Sequence, residues 1–175
     1  MRSHAVSLLL PLGLLVTGCQ MADGPAGPSA DFAATATPAG VVASASGSAH
    51  RIRNGELGVL AFNAERRADG TSTGQVRLDR KDVNVSFNVD VTCVSVSGNT
   101  AWIGGIIYNQ SGDLARDGTV SYFYVIDNGE GANAPPDVVS AVRINDRAGE
   151  DQAFCNTQPL LLPSAPIDLG DIQVH

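Results

Sequence analysis

The sequence predicts an all-β domain, an antiparallel barrel or barrel-like sandwich of about eight strands, behind a signal peptide and a disordered tether. Short segments with apolar and polar residues in alternation recur along residues 56–174, as half-buried strands do. Turn signals such as Asp69-Gly70 and Gly98-Asn99 separate them, and no stretch shows convincing helical periodicity. Strands spaced this regularly are typical of sandwiches and barrels.

Residues 1–18 predict a bacterial lipoprotein signal peptide. Arg2 supplies the charged start, and the apolar run over 5–16 is shorter than the roughly 20 residues that cross a membrane. The run ends in Val16-Thr17-Gly18-Cys19, an aliphatic residue and two small ones before a cysteine, which is the lipobox pattern. We expect Cys19 to carry the lipid, because a thiolate can take a diacylglycerol group as a thioether. The alternative is a plain signal peptide followed by a chance cysteine.

The lipobox also predicts where the protein resides. Two or three acyl chains, at ~0.8 kcal/mol per buried CH₂, make the attachment effectively permanent, so the membrane is a partner through the anchor. The residue after the cysteine is Gln20 and not Asp, so nothing in the sequence argues for retention at the inner membrane. We expect the domain to face the periplasm or the cell exterior, on the outer membrane if the organism has one.

A low-complexity segment separates the anchor from the domain. Residues 19–48 are mostly Ala, Gly, Pro, Ser and Thr, with few charges and no strand or helix period, and are therefore assigned to a disordered tether. Residues 49–175 remain, a length that suits one β domain with a single core.

Charge and cysteine content narrow the function classes. The chain has a net charge of −7, which argues against a nucleic-acid partner, because phosphate binding relies on Lys and Arg. Apart from Cys19, the chain has Cys93 and Cys155. An even number of cysteines in an exported domain predicts a disulfide, and neither a CxxC pattern nor a nearby histidine supports a metal pair.

The predicted strands follow in order along the domain. They cover residues 56–66, 73–80, 83–93, 101–109, 120–127, 138–144, 154–155 and 167–174. Within residues 83–93 every second residue is apolar, from Val83 to Cys93, which places these side chains on one face. The apolar parity flips after Cys93, which predicts a β-bulge, and Gly98-Asn99 predicts a tight hairpin. Gly104-Gly105 predicts a kink or a close backbone approach. Residues 148–152 could hold a helical turn at most.

One loop is a weak candidate for a metal site. Residues 127–137 concentrate oxygen-bearing side chains and glycines, namely Asp127, Asn128, Glu130 and Asp137, and calcium prefers oxygen ligands. The spacing does not fit an EF-hand, and loops rich in Asp, Asn and Gly also connect strands without binding anything. No cofactor is therefore predicted, with calcium at this loop as the open alternative.

Catalysis has little support in the sequence. No nucleophile elbow, zinc-binding His-Glu-x-x-His or phosphate loop occurs. His50 and His175 could meet only if the first and last strands pair. Four aromatic residues could line a ligand face, although aromatic residues on strands more often pack in a core. They are Trp102, Tyr108, Tyr122 and Tyr124. We predict that the protein is not an enzyme.

Several stretches together resemble a known type of bacterial β domain. They are Ser46-Gly47-Ser48, Val91-Thr92-Cys93 with the Gly-Asn hairpin, Ala101-Trp102-Ile103-Gly104-Gly105, Asp127-Asn128-Gly129-Glu130 and Gly170-Asp171-Ile172-Gln173-Val174. The resemblance covers roughly residues 44–175 and is to the small β domain often found after choice-of-anchor modules in secreted proteins and lipoproteins. It implies a β fold, and since the family has no assigned catalytic residues, none is carried over to this chain. We expect this chain to differ from the family in having its own lipid instead of a preceding anchor module.

Two non-enzymatic functions remain open, beside the weaker hypothesis of a hydrolase in which distant strands bring together a carboxylate pair from Asp79, Asp90 or Glu65. The leading hypothesis is a lipid-anchored, non-enzymatic binding or structural domain with a protein or surface-polymer partner, which predicts an exposed apolar patch on the outer face of the sheet. The alternative is a lipocalin-like barrel that carries a small apolar ligand, which requires an open interior rather than a closed core.

Overall fold

The computed structural model describes residues 40–53, 55–112, 117–131 and 133–175. These residues contain ten strands, one single-turn 3₁₀ helix and one α-helix. The strands are β1 (Val41–Arg53), β2 (Glu56–Arg67), β3 (Ser72–Arg80), β4 (Val85–Ser97), β5 (Thr100–Ser111), β6 (Val120–Ile126), β7 (Val138–Ser140), β8 (Arg143–Asn145), β9 (Ser164–Pro166) and β10 (Leu169–Val174). The 3₁₀ turn is Lys81–Val83 and the helix α1 is Glu150–Thr157.

The strands form one curled antiparallel sheet, a half-barrel. Its order is β10-β1-β2-β3-β4-β5-β6-β7-β9, and β8 pairs with β6 outside this path. From β1 to β7 each strand pairs with the next strand in sequence, and β10 returns to pair with β1. The prediction of an antiparallel, barrel-like all-β fold is confirmed.

The main core lies on the concave side of the sheet, which we call the inner face. Side chains at alternate positions of β1–β6 meet there, and Phe62 and Phe123 pack edge to face at 5.8 Å between ring centroids. The other members of this cluster that are almost fully buried include Phe87, Ile103, Ile107, Val125 and Ile172.

A second, smaller core lies on the opposite side, which we call the outer face. Here α1 covers β4, β5 and β6, and Phe154 and Cys155 of the helix pack against Trp102 and Tyr124. Glycine makes this close packing possible, since a Cβ on Gly104 would lie 2.8 Å from Asp151 Cβ. The predicted close approach at Gly104-Gly105 is therefore confirmed.

The sheet begins earlier than the sequence indicated. Residues 41–48, which we assigned to the tether, form the first part of β1 and pair with β2, so the boundary at residue 49 is wrong. Large β-branched side chains, the usual mark of a strand, are rare in this part, because small residues fill both faces. Ala45 and Ala49 are buried on the inner face, and serines lie between them.

The bulge on β4 lies before Cys93 rather than after it. Val91 pairs with Gly105 and Cys93 with Gly104, so β4 has one more residue than β5 at this point. The extra residue is Thr92, and the side chains after it point to the opposite face of the sheet from the one that the earlier alternation predicts. Cys93 therefore turns to the outer face, and Val94 takes its place in the main core.

At the start of the segment, Val83 lies in the 3₁₀ turn and not in the strand. The predicted hairpin at Gly98-Asn99 is confirmed.

The region after β6 differs most from the prediction. Residues 154–155, expected in a strand, lie in α1, and the segment 138–144 is divided into β7 and β8. At the division the amide of Ala141 donates to the carbonyl of Pro163 instead of to the sheet. The short strand β9 was not predicted, because its three residues include Pro166 and carry no alternation.

Candidate functional site

A cleft opens into the inner face between two parts of the sheet. Strands β1–β4 form one wall, and β7, the residues after it and β8 form the other. Its volume is about 200 Å³. An apolar cavity of about 150 Å³ holds a benzene molecule, so this cleft has room for a small organic ligand.

The floor of the cleft is apolar and belongs to the main core. Leu60, Leu78, Val85, Phe87 and Val139 line it, and each of them is at least nine-tenths buried. They reach the cleft because the inner-face positions of β2, β3, β4 and β7 converge where the sheet curls. Pockets of this kind, mostly apolar with a few polar groups, are the usual form of small-molecule sites.

The charged groups of the cleft are two arginines and one carboxylate. Arg80 pairs with Asp82 through two bonds, Nε to Oδ1 at 3.0 Å and Nη2 to Oδ2. The charge of Arg80 is thereby neutralised in place.

Arg51 differs from Arg80 in its environment. It lies on the inner face of β1, opposite Gly58, and its Nε is buried without a hydrogen-bond partner among the described residues. No ion pair joins it to a carboxylate in the described ranges. Buried N–H groups in proteins normally have an acceptor, so the Nε of Arg51 is suited to bind a ligand that supplies one.

The predicted lipidation residue cannot be placed in this geometry. Cys19, the signal peptide over 1–18 and residues 20–39 of the tether lie outside the described residues. Among the described residues, no helix is both long and apolar enough to cross a membrane.

The predicted cysteine pair is at disulfide distance. Cys93 Sγ and Cys155 Sγ lie 2.04 Å apart, and the bond joins β4 to α1 across 62 residues of chain. Both cysteines are buried beside Trp102 and Tyr124 in the outer-face core. Trp102 donates from Nε1 to the carbonyl of Pro159, and Tyr124 donates from its hydroxyl to the carbonyl of Leu162. These aromatic side chains pack under α1 and do not line the cleft.

The carboxylates at the two ends of the 127–137 loop bind backbone amides. Asp127 accepts from Gly129 and Val174, at 2.7 and 3.0 Å, and Asp137 accepts from Asn128 and Ile172, at 2.8 and 2.9 Å. All four oxygens are thus used, and two of the amides belong to the edge of β10 that does not pair with β1. We call Asp127 and Asp137 the carboxylate clasp.

The other candidates of this loop have different surroundings. Asn128 donates from its side chain to the carbonyl of Pro136 at 2.7 Å. The carboxylate of Asp171 lies beside Glu130 and, by charge repulsion and by hydrogen bonding, raises the pKa of Glu130 above its usual 4.5. In the ranges that the structure describes, no group of three or more His, Cys, Asp or Glu side chains could hold a metal ion.

The histidines at the two ends of the domain do not meet. The first and last strands do pair, but in a register that sets His50 opposite Leu169, whereas His175 exchanges backbone hydrogen bonds with Ser44. The two histidines therefore lie at opposite ends of the β1–β10 ladder.

Neither the cleft nor a binding role for Arg51 was predicted from the sequence. Only Ala49 and Ala45 indicate the inward parity of β1, and they are small residues in a segment assigned mostly to the tether. Arg51 shares that parity, so an arginine in phase with buried alanines was the available signal. The cleft itself depends on how the sheet curls, which the sequence pattern does not show.

Comparison with protein-family models, curated proteins and solved structures finds no match to this chain. The resemblance to the post-choice-of-anchor type of domain stays a prediction, as do lipidation at Cys19 and the compartment.

Proposed function

We propose that the protein is a lipid-anchored, non-enzymatic domain that faces the periplasm or the cell exterior and binds a small apolar ligand in the cleft. The cleft carries this proposal. It reaches Leu78 and Phe87 of the main core, so a ligand there would be surrounded by apolar side chains on several sides. Burial of apolar ligand surface would supply the binding free energy, at roughly 25 cal/mol per Å².

The first test fills the cleft and compares ligand binding. Ala141 is half-buried in the wall, and the variant Ala141→Phe places a ring in the space. Ala68→Phe is the matched control, because Ala68 is exposed in the turn between β2 and β3. Binding of 1-octanol is followed by methyl NMR of the full chain in a phospholipid nanodisc.

We expect saturable shifts of the methyl groups that line the cleft in the wild type and in Ala68→Phe. In Ala141→Phe the affinity should fall about tenfold or more, the loss of roughly 1.4 kcal/mol of apolar contact. Equal binding by the two variants, or no saturable shift in the wild type, would contradict the proposal.

A second candidate function, binding of a protein or surface-polymer partner, has its own supporting observation. Ile52 lies opposite Leu57, and Leu169 lies opposite His50, so three exposed apolar side chains group on the outer face of β10, β1 and β2. Contiguous apolar patches on a protein surface indicate sites of interaction with other molecules. If the cleft binds no ligand in the NMR test, this patch becomes the leading site.

A further inference from the structure

We propose that the cleft selects amphipathic anions and that Arg51 binds their headgroup. This inference rests on the proposed function, because it specifies the ligand of the same cleft. The ligand class is a monocarboxylate with a short alkyl chain or one aromatic ring. The apolar part would lie against Phe87 and Leu78 and the carboxylate against Arg51.

The charge of Arg51 favours an anionic ligand. The cleft contains Arg51, Arg80 and Asp82, and Asp82 forms a bidentate pair with Arg80. Among the described residues no ion pair joins Arg51 to a carboxylate. The whole chain has a net charge of −7, so this positive site has the opposite sign to the net charge of the protein. A neutral apolar ligand would not need it.

The Nε–H group of Arg51 also favours a ligand that carries an acceptor. Arg51 Nε is buried and has no acceptor among the described residues, although buried donors in proteins are normally paired. A carboxylate would supply acceptor oxygens and a negative charge together. Arginine binds carboxylates through two parallel N–H···O bonds, in which Nε and one terminal nitrogen form the usual fork.

Arg51 and the apolar floor line the same cleft, so one ligand could contact both. Ala49 precedes it by two residues on the same face of β1 and is buried in the main core, whereas Arg51 is only half-buried. Along β1 the wall of the cleft therefore changes from apolar to cationic over one inner-face repeat, about 7 Å of strand. A ligand with a polar end and an apolar body fits this arrangement.

The size of the cleft limits the apolar part. About 200 Å³ exceeds the space that benzene fills by only about a third, so a long fatty acyl chain would not be enclosed. Chains of about eight carbons or a single ring are therefore the appropriate class for the first experiment.

The test compares three probes of equal chain length on the full chain in a phospholipid nanodisc at pH 7. The probes are octanoate, 1-octanol and octylammonium, and methyl NMR of the cleft reports each Kd. In the wild type, octanoate should bind about tenfold tighter than 1-octanol, and octylammonium should bind more weakly than both, because one charge-assisted hydrogen-bond pair favours the anion and the arginine repels the cation.

Three variants assign the effect to Arg51. Arg51→Met keeps an unbranched side chain without the charge, and it should weaken octanoate about tenfold or more while 1-octanol binds as well as before or better. Arg51→Lys keeps the charge without the fork and should give an intermediate Kd. Arg77→Met is the matched control, since Arg77 is exposed on β3 outside the cleft, and it should leave all three Kd values unchanged.

The outcomes separate this inference from the proposed function. Equal Kd values for octanoate and 1-octanol in the wild type, or equal losses of octanoate affinity in Arg51→Met and Arg77→Met, would overturn the role of Arg51 and leave an apolar site standing. Failure of all three probes to shift the cleft methyl groups would overturn both proposals.

Discussion

Asp137 stabilises the fold through both of its carboxylate oxygens, although it lies in a loop. It is 7% exposed, and its two acceptors serve the amides of Asn128 and Ile172, which come from different parts of the chain. A carboxylate is suited to this position because it has acceptors only, so neither oxygen brings a competing donor. The side chain thus completes the hydrogen bonding of β10 where no neighbouring strand does so.

Replacing Asp137 by Asn should therefore destabilise the domain although the shape is conserved. The amide group turns an N–H donor toward one of the two backbone donors, and the loss should be about 1–3 kcal/mol in the free energy of unfolding. Urea unfolding followed by Trp102 fluorescence measures it. Asp146→Asn is the control, because Asp146 is exposed. Equal unfolding midpoints for the two variants would contradict the role of the clasp.

Glu130 should make the stability of the folded domain depend on pH. Repulsion from Asp171 raises the pKa of Glu130 in the folded state, so between the usual 4.5 and the raised value the folded protein binds more protons than the unfolded one. Stability should fall as the pH rises through this window. Below the window, where Glu130 is protonated in both states, the repulsion is absent.

The variant Glu130→Gln tests this sign. It should be more stable than the wild type at pH 7, and the difference should disappear as the pH falls below the usual pKa of a glutamate. Thermal unfolding of both proteins across pH 3–7 gives the comparison. A gain that is independent of pH would show that charge repulsion is not the cause.

At the scale of elements, α1 depends on the disulfide and on the side chains beneath it. The helix has eight residues, and isolated helices this short are marginal in water. Gly149 precedes the helix as its N-cap and provides no side-chain cap, while the bond from Cys155 to Cys93 attaches the helix to β4. Packing against Trp102 and Tyr124 and a hydrogen bond from Gln152 to the carbonyl of Thr92 supply further contacts.

The double variant Cys93→Ala/Cys155→Ala should lose about 4 kcal/mol of unfolding free energy, since the bond closes a loop of 62 residues. Denaturant unfolding of the variant and of the wild type measures the loss. Amide hydrogen exchange should accelerate in α1 more than in β2 and β3, which lie away from the bond. An unchanged unfolding midpoint, or equal acceleration in all elements, would contradict this account.

The elements that could be predicted are those whose alternation is carried by large side chains. β4 and β5 followed from their valines and isoleucines, and the hairpin between them followed from Gly98-Asn99. The first half of β1 was missed because alanine and serine give little contrast between the two faces. Helix α1 was missed because tertiary contacts, and not its own periodicity, hold it in place.

At the scale of the whole molecule, the candidate site results from curvature. Its walls come from strands that are far apart in the sequence, β1 to β4 on one side and β7 and β8 on the other. The sequence alone gives each strand an inner face but not the gap between distant strands. The open interior that the lipocalin-like alternative requires could therefore not be assigned to particular residues from the sequence, and Arg51 could not be singled out.

The pairing of β1 with β10 has a consequence for how the domain forms. All pairs from β1 to β6 join strands adjacent in sequence and can form as local hairpins, but the β1–β10 ladder joins opposite ends of the domain. Contacts of such long sequence separation slow folding. Ile172, which is fully buried, reaches the core only with the last strand. During synthesis from the N-terminus, one side of β1 thus stays unpaired until β10 has been made, and an unpaired strand edge is a site at which chains aggregate.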